Sequence, residues 1–500
     1  MVDAQNITIT LDRDDEEPIY RQLISNIRLQ IDSGTLTPGM RLPASRDLAR
    51  RLEISRISVV NAYAELRAEG YLSAHAGRGT FVAKGKTAAE FHATPTYSEA
   101  TIDQRMEQDR SVREMIRLAR KPGVINFSQG TPPKAFIPLA HLREAINQVL
   151  DRDGVDALTY EATEGYGPLR AAVRDYVSSW GIQTPSSQVL ITGGTQQAVD
   201  MVIQAVLAEG DTLVTSNPTY VGAIDIARTR RVHVHGIPMD NDGIRLDCLE
   251  NYLVDNRPKL LYITPTFQNP TGNVMPLHRR RQLLRLAEDY GLTILEDGVY
   301  EEFNFDGEMI PPLKALDEHG IVIYASGFTK VLLPGLRIGY LISDLRHYER
   351  LARVKASADI STPGLNQRAI HLMLKRGILS GQSNRNVADL RYRREVALAA
   401  AEKYLPPGCR WKKPKGGLYL WVELPRTGPT ASELFVSAVQ MGVAYAIGNV
   451  FHTDGSGSYH MRINFALQQP EQIEEGFRRL GRAWRELACD YDDLERTPLI

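Results

Sequence analysis

Only three of the 500 residues are cysteine, and Cys248, Cys409 and Cys489 are far apart and odd in number. They make neither a disulfide framework nor a CxxC metal site, so no metal is expected and a reducing cytoplasm is the expected compartment. No stretch approaches the ~18 continuous apolar residues that a bilayer span needs. The opening MVDAQNITITLDRDDEEP is acidic and polar, unlike a secretion signal, so no membrane partner is expected. An excess of one charge is also lacking. Against 59 Lys plus Arg stand 60 Asp plus Glu, a net charge of -1, which excludes a uniformly basic chain but leaves room for a local basic face. Hydrophobic residues at 43% and charged residues at 24% are ordinary for a globular chain, which excludes bulk disorder. The length implies two or three domains.

Three sections follow one another. Residues 1–84 carry short helical patterns ending in a hairpin. Residues 85–110 are poor in large apolar groups and read as a linker, with a helical pattern emerging toward Arg120. In 111–500, apolar runs alternate with amphipathic helical segments, the mark of an α/β domain on a mostly parallel sheet. The expected strands are QVLIT (188–192), DTLVTS (211–216), LLYITP (260–265), LTILED (292–297) and IVIYAS (321–326). Helical patterns between them, such as TQQAVDMVIQAVLAEG and HRRRQLLRLAEDYG, each reach a glycine at the expected C-terminal stop.

In the first block Pro18 opens a helix whose Ile19, Leu23, Ile27 and Ile31 recur every four residues, and Gly34 stops it. Ser45 is expected to cap a short helix carrying Leu48, Ala49 and Leu52. Ser55 is expected to cap the next, with Val59, Tyr63 and Leu66 turned inward. Two short helices on a tight turn, followed by the hairpin YLSAHAGRGTFVA, describe a winged helix-turn-helix. Reading a duplex requires side chains at the start of the second helix and a wing on the phosphates. Arg56 and Ser58 stand at that start, Arg46 begins the preceding helix, and Gly77, Arg78 and Gly79 make the wing tip. Across 41–84 there are eight Lys or Arg against four Asp or Glu. Pattern alone equally describes a small helical domain for protein contacts, its arginines on a solvated face. The run LPASRDLARRLEISRISVVNAYAELRAEGYLSAHAGRGTFV, however, is similar nearly position by position to the GntR-type winged helix of bacterial repressors. That resemblance implies operator contacts from Arg46, from Ser55, Arg56 and Ser58, and from Gly77.

The large block carries a second set of signals. A lysine that holds an aldehyde cofactor as a Schiff base needs a phosphate site, a carboxylate on the pyridine nitrogen, donors at the phenolic oxygen and a flat surface against the ring. In SGFTKVLLPGLRIGY (326–340) Lys330 stands beside Thr329 and seven residues before Arg337. ITGGTQQAVD (191–200) is a strand, two glycines and a helix start, where the N–H groups of Gly194, Thr195 and Gln196 would face an anion. LEDGVYEEF ends a strand at Asp297, three residues before Tyr300; FQNPTG sets Asn269 in a turn; NPTY places Tyr220 after another strand. Each has a plain reading alone, as a tight turn or a carboxylate facing water.

In this order the motifs resemble fold-type I aminotransferases over most of residues 121–490. The resemblance implies pyridoxal 5'-phosphate as cofactor, with Lys330 as its Schiff-base lysine and Asp297 at the pyridine nitrogen. It implies Asn269 and Tyr300 at the phenolic oxygen, Tyr220 on the ring, and Gly194, Thr195, Gln196, Thr329 and Arg337 around the phosphate. Tyr160, in LTYEATEGYGPLR, is similar to a tyrosine that reaches the phosphate from a partner subunit. Arg462, in HMRINFA, resembles the arginine that takes an amino acid's α-carboxylate, and Gly130, in FSQGTPP, the backbone corner closing over it. Two departures stand out: Gly327 occupies a place where many relatives have a phosphate-binding serine, and EDGV replaces the common EDDP.

A GntR-type reader joined to an aminotransferase-like body resembles the MocR family of bacterial regulators. The implied protein is a homodimer, head to tail, binding double-stranded operator DNA through paired readers. An amine or amino-acid effector, or the cofactor itself, would set its state at Lys330 and Arg462. The rival expectation is a working aminotransferase with an accessory DNA-binding module.

Overall fold

The computed structural model describes residues 19–32, 35–37, 39–52, 54–68, 71–75, 79–83, 121–307, 309–330 and 334–496, with Ile9, Leu11 and Ala119 singly. The chain divides into two compact units, Met1–Arg113 and Glu114–Ile500. The linker expected over 85–110, the helical turn toward Arg120, and Pro18, Gly34, Gly77 and Arg78 lie outside the described residues.

In the first unit, helices form where apolar residues recur at helical spacing. α1 (Ile19–Asp32) buries Leu23, Ile24 and Ile27 and leaves Ile19 and Ile31 half-covered at its ends. α2 (Ser45–Leu52) buries Leu48 and Ala49; α3 (Arg56–Ala68) buries Val59, Tyr63 and Leu66. Ser55 Oγ accepts the backbone N–H of Ser58 at 3.1 Å and so caps α3. Ser45, expected as a cap, is instead the first residue of α2. The Ala44 carbonyl takes the N–H groups of Asp47 (2.9 Å) and Leu48 (3.0 Å), so the chain turns helical one residue earlier. β1 (Leu72–His75) and β2 (Gly79–Val82) form an antiparallel hairpin. The segment before α2 docks on its edge, with Leu42 N–H to the Thr80 carbonyl and Val82 N–H to the Met40 carbonyl, both 2.8 Å. Three helices and a two-stranded wing make a winged helix-turn-helix.

In chain order the second unit contributes β3 (Ile125–Asn126), β4 (Val189–Thr192), β5 (Thr212–Asn217), β6 (His233–Asp240), β7 (Gly243–Ile244), β8 (Leu260–Ile263), β9 (Thr293–Asp297), β10 (Val322–Gly327), β11 (Gly339–Ile342), β12 (Arg410–Trp411), β13 (Tyr419–Glu423), β14 (Val443–Ala444), β15 (Ala446–Ile447) and β16 (His460–Asn464). Eight of them form one sheet in the order β4-β11-β10-β9-β8-β5-β6-β7. The run β10-β9-β8-β5-β6 is parallel. β11 runs against both neighbours, and β7 against β6. β8 and β10 are buried at every position, which is why their sequences read as unbroken apolar runs. β12, β13, β16 and β15 form a smaller antiparallel sheet, and β14 pairs with β3. The architecture is the expected α/β body with a smaller α+β part.

Two strands of the main sheet escape a reading by apolar runs. β6 reads HVHGIPMD and is only half-covered near the sheet edge. β11 is four residues long and opens on Gly339, where a Cβ would stand 2.7 Å from the Gly194 carbonyl carbon. Gly291 (φ +65) follows the helix Leu277–Asp289 as expected. Gly210 does not stop its helix, however. The helix Thr195–Val206 ends with Leu207 already extended, and Gly210 turns the chain toward β5, its N–H bonded to the Arg231 carbonyl at 3.0 Å. Among the described residues no helix is long and apolar enough to cross a membrane.

Candidate functional site

Parallel strands end at a common edge, and the turns that leave them there surround a cavity of about 330 Å3. Asp297 is the last residue of β9, Tyr220 follows β5, Asn269 lies in the turn after β8, and Thr329 and Lys330 follow β10. The helix Thr195–Val206 begins at the same place and brings Thr195 and Gln196. These residues, with Gly130, Tyr300, Arg337 and Arg462, all line the cavity. Gly194 precedes the helix at φ +103, and a Cβ on it would stand 2.6 Å from Arg337 Nη2. Only a glycine lets that guanidinium lie against the turn. A helix N-terminus, a guanidinium and two threonine hydroxyls therefore converge on one end of the cavity, a site for a phosphate-sized anion.

Asp297 sits at the other pole. Burial pushes its carboxyl up to about 6, opposed by the Tyr262 hydroxyl, the Val299 N–H and the Lys330 ammonium. Tyr262 Oη donates to Asp297 Oδ2 at 2.6 Å, while Oδ1 is buried with no partner. A buried carboxylate oxygen left open is costly unless a donor meets it. Replacing Tyr262 by Phe removes a donor to the ionised form and so raises the Asp297 pKa, by about one to two. Infrared carboxyl spectroscopy of the apo-protein should show a larger protonated fraction at pH 7 in Y262F; an unchanged spectrum would count against this bond.

Between the poles, Tyr220 Oη donates to Gln196 Oε1 at 2.7 Å, and Lys330 Nζ donates to the Gly130 carbonyl at 2.5 Å. Arg462 donates from Nη1 to Asn269 Oδ1 (2.8 Å) and from Nη2 to the Ser128 carbonyl (2.7 Å). Its guanidinium carbon lies 4.2 Å from the Tyr419 ring centre and 4.8 Å from that of Phe451, and its Nε is buried without a partner. Asn269 Nδ2 reaches Tyr300 Oη at 3.5 Å, and Tyr300 Oη is 3.2 Å from Tyr419 Oη.

Tyr160 is not brought to this cavity; it is 81% exposed. In the first unit Arg46 and Arg56 are exposed at the starts of α2 and α3, while the Ser55 hydroxyl is occupied by its cap and lies 3.1 Å from Ser58 Oγ. The departures noted in the sequence have steric reasons. A Cβ on Gly327 would stand 2.9 Å from Gly339 Cα and 3.2 Å from Thr195 Oγ1, so β11 leaves no room for a serine. A Cβ on Gly298 would meet Tyr324 Oη at 2.2 Å. Sequence reasoning missed Tyr262, Tyr419 and Ser128. A tyrosine inside the apolar run of β8 was the available signal for the first, since a buried hydroxyl requires a partner. Ser128 acts through its carbonyl, which leaves no residue-type signal.

Residues 122–480 match the family model for class I and II aminotransferases, and residues 19–82 that for bacterial regulatory proteins of the gntR family. The chain belongs to the class I and II aminotransferase family, in the MocR-type fusion with a gntR reader. A solved structure of LysN, an α-aminoadipate aminotransferase from Thermus thermophilus complexed with N-(5'-phosphopyridoxyl)-L-leucine, is 36% identical. It covers 76% of this chain and 95% of its own, with a TM-score of 0.71. An uncharacterised HTH-type transcriptional regulator, YdfD, of Bacillus subtilis is 30% identical over 94% of this chain and 97% of its own. A probable rhizopine catabolism regulatory protein, MocR, of Rhizobium meliloti is 29% identical over 71% and 74%.

The cofactor of this family is pyridoxal 5'-phosphate, and the MocR-type cavity here fits it. Thr195 Oγ1, Thr329 Oγ1 and Asp297 Oδ1 are all buried without partners. Their residues line one cavity, where a phosphate and a protonated ring nitrogen would satisfy them.

Proposed function

We propose that this protein is a pyridoxal-phosphate-dependent transcriptional regulator that binds operator DNA through its first unit and senses a carboxylated amine in the second. Bound in the cavity, the cofactor supplies an aldehyde that captures primary amines and a ring that withdraws electrons. The chain's own residues do the rest. Thr195, Gln196, Thr329 and Arg337 hold the phosphate. Asp297 keeps a proton on the ring nitrogen, and Asn269 and Tyr300 donate at the phenolic oxygen. Tyr220 would offer a flat surface to the ring, and Lys330 would anchor it and move protons at Nζ. Arg462 binds the effector carboxylate, with Gly130 closing over it. The exposed Tyr160 suits donation to a second subunit in a head-to-tail homodimer, whose paired readers would take two half-sites. A cytoplasmic location follows from DNA binding.

The observation that carries a sensing role is the strap 128–131. Arg462 holds the Ser128 carbonyl, Lys330 the Gly130 carbonyl, and Asn464 Nδ2 those of Gln129 (2.5 Å) and Thr131 (3.2 Å). Asn126, just before it, donates to the Ala119 carbonyl at 2.8 Å. A carboxylate at Arg462 would compete with the Ser128 carbonyl, and Lys330, engaged by the cofactor, would regain the Gly130 carbonyl when an effector amine takes its place. Effector binding thus acts on the stretch of chain that leads back toward the first unit. The complete set around Lys330, and the likeness to LysN, support turnover as a second reading.

Gel shifts on the protein's own upstream DNA, run with absorbance titrations over a panel of amino acids, test the proposal. An effector should change both the spectrum and the DNA affinity. Arg462→Ala should raise the required effector concentration by about 10- to 100-fold, the worth of charged hydrogen bonds. DNA affinity indifferent to every amine, beside sustained transamination, would favour the enzyme.

A further inference from the structure

Three side chains outside the cavity bear on its phosphate end. Gln197 follows the two residues that line it, and its Oε1 accepts the Gly193 N–H at 2.5 Å. Its Nε2 donates to Asp359 Oδ2 at 2.9 Å. The other oxygen of Asp359 pairs with Lys355, one turn earlier on the helix Leu345–Asp359. The Lys355 side chain is fully buried, and burial holds its ammonium below the usual lysine range. No residue of this set lines the cavity.

A fully buried lysine is costly to keep, and the carboxylate that pairs with it, Asp359, gives its second oxygen to a glutamine amide. That amide has one geometric consequence. It fixes the peptide plane at Gly193, directly before Gly194, whose φ of +103 sets the direction of the following N–H groups. Two adjacent glycines are the least constrained backbone available, and a helix N-terminus binds an anion only when its N–H groups are aimed. The Thr192 hydroxyl, on the Gly194 carbonyl at 3.2 Å, holds the other side of the same turn.

We propose that Lys355, Asp359 and Gln197 form a positioning relay for the Gly193–Gly194 turn, so that cofactor-phosphate affinity depends on an ion pair that never touches the cofactor. The inference rests on the pyridoxal phosphate reading of the cavity. Gln197 reads out the relay at the turn, Asp359 orients the amide, and Lys355 fixes Asp359. With the relay intact the turn is pre-organised; without it, the glycines must be ordered when the phosphate binds, and affinity falls by that cost.

The test is a titration of apo-protein with pyridoxal 5'-phosphate, followed by absorbance, beside thermal melting of the same apo-protein. Gln197→Ala should weaken cofactor binding by about five- to tenfold, the worth of a net hydrogen bond. Its apo melting temperature should stay within a degree or two of wild type. A double variant, Lys355→Met with Asp359→Leu, replaces the ion pair by apolar groups, a change that often leaves stability intact. It should weaken the cofactor to the same extent. Both variants binding as tightly as wild type would overturn the relay, as would a lower apo melting temperature with unchanged affinity. Wild-type apo-protein that takes up no cofactor would instead refute the cavity's reading, a separate outcome.

Discussion

Lys330→Ala should leave no cofactor covalently attached. Among the described residues Lys330 is the one lysine lining the cavity, and its Nζ donates to the Gly130 carbonyl. After borohydride reduction, mass spectrometry of wild-type protein should find a pyridoxyl group on the peptide carrying Lys330, and the variant should show none on any peptide. The phosphate end does not depend on that side chain, since Thr195, Arg337 and the helix N-terminus come from other elements. Non-covalent binding should therefore persist, weakened by roughly a hundredfold, about 2.7 kcal/mol, and be lost on gel filtration. A reducible adduct in the variant would mean that another amine carries the cofactor, and the roles assigned around Lys330 would fall together.

Arg56→Ala should weaken operator binding by about 10- to 100-fold, the worth of one good base contact, or reduce the salt slope by about one if Arg56 meets a phosphate. Arg56 is the first residue of α3 and exposed, directly after the cap that Ser55 makes with Ser58. Arg56 is exposed in the first turn, whereas Val59, Tyr63 and Leu66 further along α3 are buried in the core, and Tyr63 Oη is tied to the Pro43 carbonyl at 2.9 Å. Truncation at Arg56 therefore removes a side chain from the reading face without touching what holds α3. Fluorescence anisotropy on the upstream fragment at several salt concentrations measures both outcomes, with cofactor content as the control. Unchanged affinity and slope would displace the reading face from the start of α3.

What sequence made legible follows from burial. β8, β9 and β10 lie inside the sheet and declare themselves as apolar runs. Once the strands are placed, the polar residues at or beyond their ends, Asn269, Asp297 and Lys330, must share an edge. Ser55 as a cap was legible because a hydroxyl before a helix has a local purpose. Contacts that join distant parts of the chain were not. Tyr262 reaches Asp297 across 35 residues, and Arg462 meets the Ser128 carbonyl across 334. Gly327 looked like a missing ligand until β11 was seen to press on it. The helix Thr195–Val206 ended short of its glycine because Gly210 serves the next strand.

The strap at 128–131 has one more consequence. In a free-standing transaminase, four carbonyls gripped one after another by arginine, asparagine and lysine would only tighten or slacken a doorway. In this chain the same stretch comes, in sequence, soon after the boundary between the two units. Under the proposed function, chemistry that elsewhere ends in a product would end here in a message.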